Sequence, residues 1–145
     1  MEDLDWEIRV AADGDIDAML GLWKDIEGLN SVPESLASVK RFIKINPDGC
    51  LVAMNEGRLI GTAMAGFDGW RGCVYRLAVN KDFRLKGVGQ ALLEQCLEVF
   101  EQQGAPKAYL YVKANNHNAL AFYNHLQWEK RDDIMVFDWD FMELP

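Results

Sequence analysis

The chain has 145 residues, half of them hydrophobic and 26% charged, which suits one globular domain, residues 1–145, around a single core. Its formal net charge of −8 argues against a nucleic-acid partner, whose phosphates need a basic face, and favours a cationic ligand instead. No apolar run approaches the ~18 residues of a membrane span, and the acidic start Met1-Glu2-Asp3-Leu4-Asp5 lacks the basic-then-apolar layout of a signal peptide, so a cytoplasmic location is expected.

Residues 6–11 alternate apolar and polar side chains and read as a first strand. Asp13 and Asp15 are helix-start signals, and Ile16, Met19, Leu20, Trp23 and Ile26 then recur at helical spacing until Gly28 ends the run. Residues 30–33 form a loop. Pro33, Glu34 and Ser35 open a second helix with Leu36, Val39, Phe42 and Ile43 on one side. Asn46-Pro47-Asp48-Gly49 is a turn. Residues 50–54 and 59–67 read as a hairpin joined at Glu56-Gly57, and Asp68-Gly69-Trp70-Arg71-Gly72 turns the chain into a strand over 73–79.

A long helix over 87–103 follows, with Val88, Leu92, Cys96, Val99 and Phe100 on one side; Gly104 caps it and Pro106 prevents its continuation. Residues 108–112 read as a strand. Asn115 or Asn116 caps a last helix striped by Ala119, Phe122, Tyr123 and Leu126, and residues 129–131 and 135–141 read as closing strands. The order is β-α-α-β-β-β-α-β-α-β-β: about seven strands and four helices. It describes an α+β or mixed α/β domain, with a mainly antiparallel sheet and helices on both faces. Cys50, Cys73 and Cys96 are widely spaced among apolar neighbours and read as reduced core thiols. No cysteine pair has metal-ligand spacing, and His117 and His125 fall in no HExxH pattern, so no metal is expected.

The chemistry concentrates where the strand ending at Val79 runs through Arg84-Leu85-Lys86-Gly87-Val88-Gly89 into the long helix. A helix start leaves backbone N–H groups without partners, and the helix dipole adds positive potential, so the turn suits a phosphate or pyrophosphate. Gly87 and Gly89 let a ligand approach the backbone, while Arg84 and Lys86 add charge. The backbone N–H groups from Leu85 through Val88 to Gln90 matter more than either side chain. A dinucleotide fingerprint would need glycine where Leu92 stands, and a P-loop needs a Gly-Lys-Ser/Thr that is lacking.

The order of elements and the Arg84-x-x-Gly87-x-Gly89 loop resemble the GNAT superfamily of acyl-CoA-dependent N-acetyltransferases. Leu77-Ala78-Val79 looks like that family's strand whose backbone pairs with the pantetheine arm. Asn116, Ala119 and Tyr123, followed by Trp128, look like its Asn-x-x-Ala-x-x-x-Tyr helix. Small bacterial members of the YpeA type look closest, through the Asp68-Gly69-x-Arg71-Gly72 turn. Two positions depart from the pattern: Gln127 stands where a glycine usually precedes the aromatic residue, and Cys73 where some relatives place a glutamate base.

The resemblance implies acetyl-CoA as cofactor and an amine as acceptor, either a small molecule or a protein N-terminus or lysine. It implies that the strands carrying Val79 and Tyr111 splay apart around the pantetheine arm, and that Asn116, Ala119 and Phe122 touch that arm. It further implies that Tyr123 protonates the departing thiolate. A phenol at pKa ~10 is a weaker acid than a thiol at ~8.5, a gap of ~2 kcal/mol in water that a dry pocket narrows. The base stays open between a water chain, Tyr75 and Glu27, or the acceptor is an amine of low pKa. Trp23, Trp70 and Tyr75 are candidates for the acceptor wall, where aromatic rings stack on a ring or hold a cation. A homodimer through residues 135–141 is an open expectation. The alternative reading is a non-catalytic acyl-CoA-binding or regulatory domain.

Overall fold

Alternation and turn chemistry produce one five-stranded sheet in the order β1-β2-β3-β4-β5, built from β1 (Glu7–Val10), β2 (Cys50–Asn55), β3 (Arg58–Phe67), β4 (Gly72–Val79) and β5 (Ala108–Leu110). The first three pairings are antiparallel and β4 with β5 is parallel. The helices are α1 (Ile16–Lys24), α2 (Leu36–Ile45), α3 (Val88–Gln102) and α4 (His117–His125). This computed structural model describes residues 5–26 and 35–141. They fall into two compact units, residues 1–111 with the whole sheet and residues 112–145 with α4. Gly28, the loop over 30–33, Pro33 and Glu34 lie outside the described residues, and so does Glu27.

Strand side chains alternate between the two faces, so each face has its own core. Cys50, Val52, Met64 and Ala78 join Ile16, Met19 and Trp23 of α1 and Val39 of α2 on one face. On the other, Leu92 and Val88 of α3 pack over Gly61, and the Phe100 ring lies against Gly72. Ile16, Met19, Val39, Val88, Leu92 and Leu93 are all fully buried, and their helical spacing is the pattern the sequence carries. Ser35 caps α2: its hydroxyl accepts from the Ser38 N–H at 3.1 Å.

Among the described residues, five strands replace the expected seven or so. Residues 129–131 and 135–141 carry none of them, and the strand expected over 108–112 ends at Leu110. The alternation of Met135, Phe137, Trp139 and Phe141 is real, but alternation makes a strand only where a ladder accepts it. Each of these four side chains is more than 80% exposed.

Gly49 leads into β2 and extends its pairing with β3. Its carbonyl accepts from the Ala65 N–H at 2.7 Å, and a Cβ on Gly49 would run into the Ala65 carbonyl oxygen. Both partners are backbone, and Ala65 lies mid-strand in β3, so neither yields cheaply. Gly49→Ala is therefore expected to destabilise the fold by about 3 kcal/mol, read as a lower urea midpoint at unchanged slope. A loss below about 0.5 kcal/mol would show that β3 moves aside freely.

Candidate active site

The site begins where β4 stops being regular. Met64 faces Tyr75 and Thr62 faces Ala78, so Arg76 and Leu77 together oppose Ala63 in a β-bulge. Arg76 takes the left-handed conformation at φ 52°, an uncommon one for a long side chain. Two contacts over-determine it: the Thr62 hydroxyl donates to the Arg76 carbonyl at 2.8 Å, and the Arg76 guanidinium lies 5.4 Å from the centre of the Trp23 ring. Trp23 Nε1–H donates to the same hydroxyl at 2.9 Å, so α1, β3 and the bulge share one buried anchor.

The bulge decides where backbone donors point. Since the Arg76 carbonyl is turned toward Thr62 on β3, the planar peptide aims the Leu77 N–H away from β3. The Asn80 N–H donates to Ile60 at 2.7 Å, so Val79, one residue earlier, also points away from β3. On that side the β4–β5 ladder has only three rungs and ends at Val74 opposite Leu110. Leu77 and Val79 thus offer their N–H groups to an open strand edge, and Ala78 between them packs into the core. Arg84 closes the lower end, its Nε–H donating to the Val79 carbonyl at 3.2 Å.

From that edge the chain enters the glycine loop. Asn80 caps a short turn, its side chain accepting from the Asp82 N–H at 2.9 Å. Leu85, Lys86 and Gly87 are exposed, Leu85 and Gly87 with positive φ of 62° and 89°. The first α3 hydrogen bond runs from the Ala91 N–H to the Gly87 carbonyl at 3.0 Å, so Val88, Gly89 and Gln90 contribute N–H groups that have no partner within the helix. The Trp6 ring stands beside Gly87, a neighbour that sequence reasoning did not connect to the loop.

On the α2 face of the sheet, a cleft of about 430 Å³ is lined by Ile45 and Asn46 at the end of α2, by Phe67 and Asp68, and by Cys73, Tyr75 and Tyr111 among others. Cys73 is therefore a half-buried cleft residue, unlike the fully buried Cys50 and Cys96. Burial pushes the Cys50 thiol up to about 11 and the Cys96 thiol up to about 12. Burial also raises the Cys73 thiol and the Tyr75 phenol, which shares a hydrogen bond with Cys73. A phenol held protonated is a poor general base, which counts against Tyr75 in that role. Of the other wall candidates, Trp23 is consumed by the core and Trp70 is 71% exposed on the β3–β4 turn, while the candidate base Glu27 lies outside the described residues. Tyr111, which lines the cleft, was missed as a wall residue; the Tyr109-Leu110-Tyr111 alternation carried the signal.

In the second unit, Asn116 caps α4: its side-chain oxygen accepts from the Ala119 N–H at 3.1 Å. The Tyr123 ring packs edge-on to Phe122 at 5.2 Å and to Trp128 at 6.1 Å. Gln127, at φ 67°, takes the left-handed exit that a glycine would take. The Trp128 N–H reaches the Tyr123 carbonyl and the Gln127 N–H the Asn124 carbonyl, both at 3.0 Å, which is the double hydrogen bond of a Schellman ending. The departure from glycine leaves the exit unchanged and stores torsional strain. Gln127→Gly is expected to raise stability by about 0.5–1 kcal/mol, read from chemical unfolding. A loss of stability would mean that the Gln127 side chain makes compensating contacts.

Residues 17–127 match the model of the acetyltransferase (GNAT) family. The chain belongs to the GNAT acetyltransferase family. An acetyltransferase of Pectobacterium atrosepticum is 33% identical over 130 residues, covering 90% of this chain and 92% of that protein. One from Sodalis glossinidius is 31% identical over the same span. Among solved structures, the aminoglycoside N-acetyltransferase AAC(6')-Iy in complex with CoA superposes with a TM-score of 0.77 at 18% identity, over 95% of this chain and 97% of that one, a likeness of fold. As a GNAT member the chain is an acyl-CoA-dependent N-acetyltransferase whose donor is acetyl-CoA. Its residues fit that donor: loop N–H groups suit a pyrophosphate, and the open β4 edge suits the amides of a pantetheine arm.

Proposed function

We propose that this GNAT chain transfers acetyl directly from bound acetyl-CoA to a primary amine in a ternary complex, with the two units acting as one domain. The observation that carries the reading is the open edge of β4, which leads through one short turn into the glycine loop. The N–H groups of Leu85 to Gln90 hold the pyrophosphate, with Arg84 and Lys86 supplying field. Leu77 and Val79 hold the pantetheine arm by backbone hydrogen bonds, and Asn116, Ala119 and Phe122 flank it. Acetyl-CoA supplies an activated acyl group. A backbone N–H near Val79 donates to the thioester oxygen as negative charge develops there. Holding donor and amine together supplies the proximity term.

The neutral amine nitrogen forms a bond to the acyl carbon as the carbon–sulfur bond breaks. Tyr123 gives its phenolic proton to the departing sulfur. The proton shed by the new amide nitrogen returns through water to the phenolate. The test is release of free thiol over a panel of amines, paired with direct measurement of CoA binding. Release that depends on both substrates supports the reading. Tight CoA binding without release on any amine would overturn it in favour of a non-catalytic binder.

A further inference from the structure

The outward edge of β4 depends on residues buried behind it, and this step rests on the reading above that the edge holds the pantetheine arm. Four non-glycine residues among those described have positive φ. Glu56 lies in the turn between β2 and β3, Leu85 in the glycine loop and Gln127 at the exit of α4, so a turn accounts for each. Arg76 alone lies inside a strand. Among the described residues no rung of the β3–β4 or β4–β5 ladder falls on Arg76, so strand pairing does not set its φ. A strained backbone of this kind persists only where the surroundings over-determine it.

Thr62 supplies that determination. Its side chain is fully buried, where a hydroxyl is costly unless it is hydrogen-bonded. An indole N–H can only donate and a carbonyl can only accept, whereas a hydroxyl has one proton and can do both. With Trp23 Nε1 at 2.9 Å and the Arg76 carbonyl at 2.8 Å, the single Thr62 proton is committed to Arg76. Trp23 thus sets the direction of the bond that Thr62 makes. Its ring also steadies the far end of the same residue, 5.4 Å from the Arg76 guanidinium. Valine has nearly the shape of threonine without the hydroxyl, so it would take this partner from both the carbonyl and the indole N–H. The peptide between Arg76 and Leu77 would then be free to flip, carrying the Leu77 N–H from the open edge toward β3.

We propose that Thr62 is a positioning residue for the acyl donor: its hydroxyl, directed by Trp23, holds Arg76 left-handed and so keeps the Leu77 N–H turned outward to the pantetheine arm. With no exposed surface of its own, Thr62 acts on the donor only through that peptide.

The test divides the donor into two probes, each titrated by NMR into the full chain. S-acetylpantetheine has the arm and the thioester, and 3′-phospho-ADP has the pyrophosphate. Thr62→Val is expected to weaken the first about ten-fold and the second by less than about two-fold, while the backbone carbon shifts of Arg76 leave the left-handed range. Thr62→Ser, which keeps the hydroxyl, should retain the parental affinities. Adding Arg76→Gly to Thr62→Val should restore most of the lost affinity, because glycine takes positive φ freely, whereas general damage to the core would not be repaired that way. If valine costs the fold, Thr62→Cys, whose thiol is a weak donor, is compared with Thr62→Ser and should show the same split. An Arg76 that stays left-handed without the hydroxyl overturns the proposal, and so does equal loss of both probes. S-acetylpantetheine that binds parent and variant alike, shifting the Leu77 and Val79 amide resonances in both, removes Thr62 alone. Binding to the parent that leaves those two resonances unmoved overturns the edge assignment and the proposal with it.

Discussion

Tyr123→Phe is expected to lower kcat about 100-fold while leaving the dissociation constant for CoA within about two-fold. The substitution removes one oxygen and keeps the ring. The ring that packs against Phe122 and Trp128 is retained, and the Schellman hydrogen bonds that end α4 are made by backbone. Fold and cofactor grip should therefore survive, and the effect should fall on the proton delivered to sulfur. An acetyl donor with a more acidic thiol needs that proton less, so the gap between variant and parent should shrink with such a donor. Parental turnover in Tyr123→Phe, or a gap that ignores the acidity of the leaving thiol, would remove Tyr123 from the chemistry.

What the sequence discloses depends on how local each feature is. The glycine loop was legible because its determinants are consecutive: strand end, two glycines, helix start. The caps at Ser35 and Asn116 are equally local, each settled within three residues. The bulge at Arg76 was not legible. Val74-Tyr75-Arg76-Leu77 reads as an uninterrupted strand, and no glycine or asparagine marks the left-handed residue. Thr62 and Trp23, far away in sequence, impose it. The cleft is less local still, since Ile45, Phe67, Tyr75 and Tyr111 come from separate elements. The strands expected over 129–131 and 135–141 failed for the related reason that a period-2 pattern names a face and not its partner.

Gly87→Val is expected to produce the opposite kinetic pattern: CoA affinity falls about ten-fold or more, while kcat at saturating donor changes little. Gly87 sits at φ 89° and ψ 2°, where an L-residue costs roughly 1–2 kcal/mol and a β-branched one more. The penalty is torsional and not one of space, since a Cβ there would meet only the Trp6 ring, at 3.7 Å. Relaxing φ swings the peptides of Leu85 and Lys86 away from the N–H groups of Val88, Gly89 and Gln90, so the two halves of the cradle no longer converge. The distinguishing control is S-acetylpantetheine, which keeps the thioester and arm but lacks the pyrophosphate. If the loop grips the pyrophosphate, Gly87→Val should use this truncated donor as well as the parent does. An equal loss with both donors would mean that the substitution had disturbed β4 or α3, and the loop would lose its assignment as the phosphate cradle. The two variants together separate holding from chemistry, because the glycine loop and Tyr123 act on different atoms of the same donor.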